Sequence, residues 1–128
     1  HDKYANQEVA YLLQRVEAYN GLVILATNQR ANVDDAFSRR FQSIIQFPMP
    51  RAQERLALWQ QAFPPNVSLD PDIDLQAIAS RFELTGAGIM NVVQYCLISA
   101  LANGNHPVNA KSIEAAVLRE YKKEGKIM

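Results

Sequence analysis

The chain contains one cysteine, Cys96, so it cannot form a disulfide within itself. A reducing cytoplasm is therefore the expected compartment, and Cys96 is expected to be a small buried apolar side chain. No apolar run approaches the ~20 residues that span a bilayer. Basic and acidic residues balance at thirteen each, so no net charge attracts nucleic acid or an anionic membrane. We expect neither nucleic acid nor membrane as a partner.

The glycine-rich loop that holds nucleotide phosphates is also missing. Such a loop needs Gly-x-x-x-x-Gly-Lys-Ser/Thr, and none of the five glycines opens that pattern. No apolar strand ends in the Asp-Glu pair that would hold Mg²⁺ and polarise water. His106 has no second His or Cys beside it in the sequence, so no metal site is predicted. We expect the chain alone to be inactive on nucleotides and to require no cofactor.

An apolar run at residues 22–27 is the first positive feature. Its sequence, LVILAT, has the length and β-branched content of a strand buried on both faces, and it turns polar at Asn28. A second strand-like run lies at residues 43–47, and helical spacing of apolar residues precedes the first. In α/β proteins, a polar residue at the end of a buried parallel strand marks a place where ligands bind.

The residues after this run resemble the second region of homology of AAA+ ATPases. Thr27-Asn28 is similar to the pair whose Asn, called sensor 1, lies beside the γ-phosphate in that family. Residues 34–41, DDAFSRRF, are similar to the family's Asp-x-Ala-x-x-Arg stretch, whose arginines reach a neighbouring subunit's nucleotide as fingers. The resemblance makes Asn28, Arg39 and Arg40 the catalytic candidates. Many members have Pro-Gly between the two arginines, and this chain does not, so either Arg could be the finger.

The resemblance also implies a fold. Residues 1–50 would be the C-terminal part of an α/β domain, namely the closing elements (helix, strand, short helix, strand) of a P-loop NTPase parallel sheet. Pro48 and Pro50 break regular structure and mark the boundary. Residues 51–128 would form a small all-α lid of four helices, with Asp74, Thr85 and Asn109 at helix starts.

Within the lid, residues 84–89, LTGAGI, are similar to the start of the family's sensor 2 helix. Gly86 and Ala87 have almost no side chain, so a ligand could approach backbone N–H groups at a helix N-terminus. Phe63 aligns with a lid position that packs near the adenosine in relatives. The resemblance therefore implies contacts from Gly86, Ala87 and Phe63 to ATP or ADP, with Mg²⁺, in a longer protein.

Each of these features also has a plainer interpretation. An Asn after a strand is usually a turn former, an Arg pair is usually a solvated helix end, and glycines can simply allow close helix packing. The family spacing of Asn28, Arg39 and Arg40 is what favours the functional interpretation.

The resemblance implies that the chain is a fragment of an ATPase that forms a homo-oligomeric ring, expected to be a hexamer, and remodels protein substrates. The substrate itself does not follow from these residues. A non-catalytic ATPase-like adaptor, or a helical interaction module, is the alternative. A DNA-binding helical domain is disfavoured by the neutral charge and by acidic residues at 70, 72 and 74.

Overall fold

The computed structural model describes residues 2–27 and 39–126, and the side chains of residues 7, 8, 10–27 and 39–126. The chain divides into two compact units, His1–Phe47 and Pro48–Met128, which we call unit 1 and unit 2. Five helices lie wholly within the described residues: α1 (Asp2–Ala18) in unit 1, and α2 (Ala52–Ala62), α3 (Leu75–Arg81), α4 (Gly86–Ala102) and α5 (Ala110–Lys123) in unit 2. Arg39 and Arg40 are helical as well.

The predicted parallel sheet is wrong for the described residues, which form helices and irregular segments and contain no strand. Residues 22–27 and 43–47 have irregular backbone instead. Most of their apolar side chains are exposed, with Leu22 at 85%, Ile24 at 80% and Phe47 at 92%. A β-strand is stabilised by hydrogen bonds to a neighbouring strand and by packing on its faces, and within the described residues neither run belongs to a sheet. β-branched composition alone did not produce a strand.

Three of the four unit 2 helices begin at a side chain that caps them, and the sequence predicted two of these caps, Asp74 and Thr85. Asp74 accepts hydrogen bonds from the backbone of Gln76 and Ala77 at the start of α3. Thr85 accepts from the N–H of Gly88 in α4. At the start of α5, Asn109 and Ser112 exchange bonds in a capping box. Each cap satisfies N–H groups that have no partner inside the helix, so local sequence fixes these boundaries.

One apolar core holds unit 2 together. α2 packs against α3 and α4, and α4 packs against α5. The loops between the helices also contribute to this core, through Val108, which is buried in it, and Leu69, which packs against it. Leu69 and Val108 form an isolated parallel β-bridge. The most deeply buried large side chains are Trp59, Leu84, Ile89, Val92, Val93, Val108, Ile113 and Val117. Helices α2 to α5 therefore form a bundle with its own core, which the spacing of apolar residues predicted.

A buried carboxylate, Glu120 on α5, links α5 to α4. Its Oε1 accepts a hydrogen bond from Asn91 Nδ2 at 2.9 Å, and its Oε2 lies 2.9 Å from Lys123 Nζ. Burial raises the pKa of the Glu120 carboxyl, but the hydrogen bonds from Asn91 and Lys123 and the charges of Lys123 and Arg119 outweigh it, so the pKa lies below its ordinary value. The ionised form is therefore favoured in the folded state.

This lowered pKa predicts a specific pH dependence of stability. The contribution of Glu120 is fully present above the unfolded-state pKa, 4.5, and is lost as pH falls through the lower folded-state value. We expect Glu120→Gln to cost about 1–3 kcal/mol of unfolding free energy at pH 7, and less as the pH falls below 4.5. Urea unfolding at several pH values measures this. Glu114→Gln, which removes an exposed partner of Arg81, is the control and should have a small effect; equal losses from both variants would contradict the assignment.

Candidate nucleotide-contacting residues

Asn28, the predicted sensor 1 residue, lies outside the described residues. Thr27, directly before it, is described and is exposed on irregular backbone. The sensor 1 assignment stays a prediction from the sequence pattern.

Arg39 and Arg40 are both exposed in unit 1. Arg40 Nε donates to Oε1 of Glu17, near the end of α1, and this ion pair is solvent-accessible, with side-chain exposures of 38% for Arg40 and 52% for Glu17. An exposed pair contributes only about 0–1 kcal/mol. Both guanidinium groups are therefore accessible to solvent, and whether either contacts a phosphate stays a prediction.

Gly86 and Ala87 form the first turn of α4. Gly86 is half-buried and Ala87 is exposed. The Thr85 hydroxyl oxygen accepts a hydrogen bond from the backbone N–H of Gly88, with an N–O distance of 3.0 Å. Among the described residues, the N–H groups of Gly86 and Ala87 have no acceptor. A Cβ built on Gly86 would meet only Leu58 Cδ1, at 3.9 Å. This helix start can therefore be approached closely, and its backbone dipoles favour an acceptor or an anion.

Phe63, the third predicted lid contact, lies at the end of α2. It is 8% exposed and belongs to the unit 2 core. Its ring is parallel to that of Trp59 within 20°, with centroids 6.4 Å apart. The structure thus gives Phe63 a packing role, and its contact with adenosine stays a prediction.

A cleft of unit 2 lies elsewhere, beside the connection between α4 and α5. It measures about 490 Å³ and is lined by Cys96, His106 and both polar and apolar neighbours. Burial raises the pKa of the Cys96 thiol to about 11, so the thiolate is not populated at neutral pH. Cys96, 1% exposed, is therefore a small core residue. Within residues 2–27 and 39–126, no group of three His, Cys, Asp or Glu could hold a metal.

Two buried charged residues, Arg55 and Glu120, were missed by the sequence prediction. Each is 6% exposed. Each lies four residues from an apolar core position, Arg55 before Trp59 and Glu120 after Ala116, so each falls on the apolar face of its helix. The sequence signal that could have identified both residues is a charged side chain within the apolar stripe of a helix.

Along the chain, the arginine pair is followed by the proline segment and then by the capped helical bundle. A family model described as "Contractile injection system ATPase helical domain" matches residues 51–120, more than half of the chain. The A-like 1 form of the katanin p60 ATPase-containing subunit, from Homo sapiens, is 34% identical over 95 residues, covering 73% of this chain and 19% of that protein. The ATP-dependent zinc metalloprotease FtsH 3 of Sphaerobacter thermophilus is 33% identical over 101 residues, covering 77% of this chain and 20% of that protein.

These matches confirm the resemblance to AAA+ ATPases. The chain belongs to the contractile injection system ATPase helical domain family. It spans about a fifth of the length of the curated relatives it matches. Among the described residues, none of the helices combines the length and the apolar content that crossing a bilayer requires.

Proposed function

We propose that this chain is the sensor and lid part of a longer ATPase, in which it reads the nucleotide state and does not hydrolyse ATP by itself. The observation that supports this most strongly is the match of residues 51–120 to an ATPase helical domain in a chain without a phosphate-binding loop. ATP or ADP with Mg²⁺ would be the cofactors of the longer protein. The chain itself supplies polar groups that surround a nucleotide held by other residues.

Asn28 would orient the attacking water, and Arg39 or Arg40 would neutralise the charge that develops on the γ-phosphate of a neighbouring copy. The solvent exposure of both arginines supports this role, since a finger has to reach outside its own subunit. The partners would then be further copies of the same protein in a ring, which we propose to be a hexamer.

The unit 2 bundle would be the lid, with Gly86 and Ala87 offering backbone N–H groups to the nucleotide and Phe63 packing near the adenosine. Binding and hydrolysis would then change the position of the lid, and that movement would remodel a protein substrate. The name of the matching family suggests a role in a contractile injection system, and the cytoplasmic location expected from the single cysteine is part of the proposal.

The first test is ATP hydrolysis by the purified chain. With ATP and Mg²⁺ we expect no phosphate release above buffer, because no Gly-x-x-x-x-Gly-Lys-Ser/Thr loop is present to hold the phosphates. A longer protein that contains this chain together with such a loop should hydrolyse ATP under the same conditions. Turnover by the chain alone would contradict the proposal, and an inactive longer protein that has the loop would favour the adaptor.

The lid contact is tested by Gly86→Ala in the longer protein. The added methyl group has room within the fold, since its nearest neighbour would be Leu58 Cδ1 at 3.9 Å, so the melting temperature should not fall. If the nucleotide lies against this backbone, ATP affinity should drop about tenfold, or ~1.4 kcal/mol. Gln94→Ala, at an exposed position further along α4, is the control. Unchanged affinity in Gly86→Ala would remove this residue from the site.

A further inference from the structure

Helix α4 begins at the end of a four-residue connection from α3, residues 82–85. Burial alternates along it, since Phe82 and Leu84 are buried in the core and Glu83 between them is exposed. The backbone is extended at both ends, with φ/ψ of −109°/115° at Phe82 and −73°/165° at Thr85. The connection is therefore a short extended segment that leads directly into Gly86.

Tyr121, near the end of α5, contacts this connection from a different helix. Its hydroxyl donates a hydrogen bond to the backbone carbonyl oxygen of Glu83, with an O–O distance of 3.0 Å. Its ring meets the ring of Phe82 edge to face, with centroids 6.4 Å apart and planes at 72°. The half-buried side chain of Tyr121 thus bonds to the backbone of one connection residue and packs against the side chain of the residue before it.

The two residues after Glu83 are joined to the first turn of α4. A Cβ built on Gly88 would lie 3.3 Å from Leu84 Cδ2, so Leu84 packs closely against this turn. Thr85 accepts two hydrogen bonds, one on its hydroxyl oxygen from the N–H of Gly88 and one on its carbonyl oxygen from the N–H of Ile89, each at 3.0 Å. A change in the backbone position at Glu83 would therefore reach the first turn of α4.

We propose that Tyr121 is a positioning residue for the nucleotide contact of α4: its hydroxyl holds the backbone at Glu83 and thereby sets where the N–H groups of Gly86 and Ala87 lie. Its effect on ATP rests on the proposed function, whereas its hold on the connection follows from the contacts alone. A hydrogen bond fixes a direction that ring packing does not. Phenylalanine at this position would keep the contact with Phe82 and release the backbone.

Backbone order parameters from nitrogen-15 relaxation, measured by NMR on the chain without nucleotide, test the hold on the connection. In the wild type we expect about 0.85 at residues 84–88, the value of rigid backbone. Tyr121→Phe should lower it toward ~0.6 there and leave α2 unchanged. A role limited to stability would lower the melting temperature without changing the order parameters of the folded state. Unchanged values at residues 84–88 would therefore overturn the proposal.

Two control variants separate the Tyr121 hydroxyl from other effects. Tyr95→Phe removes the same group from a tyrosine that is 39% exposed on α4 and whose ring lies under Arg119. Glu83→Ala removes the exposed carboxylate and keeps the carbonyl oxygen that Tyr121 binds. Both variants should leave residues 84–88 rigid. A loss of order in either control as large as in Tyr121→Phe would overturn the role of the Tyr121 hydroxyl.

ATP binding by the longer protein tests the consequence for the nucleotide. Tyr121→Phe should weaken ATP affinity about threefold, the effect of one lost hydrogen bond. The rate at saturating ATP should stay the same, because no group that acts on the γ-phosphate is changed. Gly86→Ala is the reference variant for the lid contact.

The two variants together distinguish failure of this inference from failure of the proposed function. If Gly86→Ala weakens ATP binding and Tyr121→Phe does not, Tyr121 has no positioning role and the lid contact stands. If neither variant weakens binding, the lid contact is wrong, and the effect of Tyr121 on ATP is wrong with it. The order parameters at residues 84–88 then decide whether Tyr121 holds the connection.

Discussion

Replacing both Arg39 and Arg40 with alanine should lower ATP hydrolysis by the longer protein by ~10³–10⁵, the range that arginine fingers supply in other phosphoryl-transfer enzymes. ATP binding should change little, because a finger acts mainly on charge that develops in the transition state. Phosphate release and nucleotide binding are measured separately on the same preparation. An unchanged hydrolysis rate in the double variant would exclude a finger role for either residue.

Single variants determine which Arg is the finger. Arg40 is paired with Glu17, so Arg40→Ala could act by releasing α1 as well as by removing a finger. Glu17→Gln is the matched control, because it breaks the same pair and leaves the guanidinium in place. If Arg40 is the finger, Arg40→Ala should be inactive and Glu17→Gln active. If Arg39 is the finger, Arg39→Ala alone should reproduce the loss.

The second large effect is expected at Trp59, which is fully buried and stacks on Phe63. Trp59→Ala should reduce the unfolding free energy by about 3–5 kcal/mol, because it removes a large apolar contact and leaves a cavity. Domains of this size have only ~5–15 kcal/mol in total. Loss of helical circular dichroism on heating or in urea measures the change. A loss below about 1 kcal/mol would show that the site collapses around the smaller side chain.

Comparing Trp59→Ala with Trp59→Phe separates the effect of losing the aromatic ring from the effect of losing the indole N–H. Within the described residues, the indole Nε1 of Trp59 is buried and has no hydrogen-bond partner, and such an unpaired donor is itself destabilising. Phenylalanine keeps an aromatic ring and removes this donor. Trp59→Phe should therefore cost much less than Trp59→Ala. Similar losses for the two variants would mean that the shape of the indole, more than its apolar area, holds the core together.

The helical part of the fold was predictable because its signals are local. Asp74, Thr85 and Asn109 cap the N–H groups of their own helices, and the apolar spacing that follows each cap needs no information from distant residues. The sheet prediction failed because a strand depends on neighbours. Residues 22–27 have the composition of a buried strand, but composition specifies neither the ladder partner nor the layers that cover its faces.

For the candidate site, too, the sequence predicted the local features and missed the contacts between distant residues. Residue types at family spacing singled out Arg39, Arg40, Gly86 and Ala87, and the structure shows that all four are at least partly accessible. The pairing of Arg40 with Glu17 was not predictable, because it joins residues 23 positions apart. For the same reason the sequence did not predict that Arg55 donates a hydrogen bond to the carbonyl oxygen of Ala79, 24 positions away.

Unit 1 exposes Leu22, Ile24, Ile44, Ile45 and Phe47, each at more than 60% of its surface. The chain as a whole carries no formal net charge at neutral pH, so copies in concentrated solution do not repel one another, while their apolar side chains attract. Poor colloidal stability near neutral pH is the practical consequence, and a buffer well away from neutrality favours dispersed molecules.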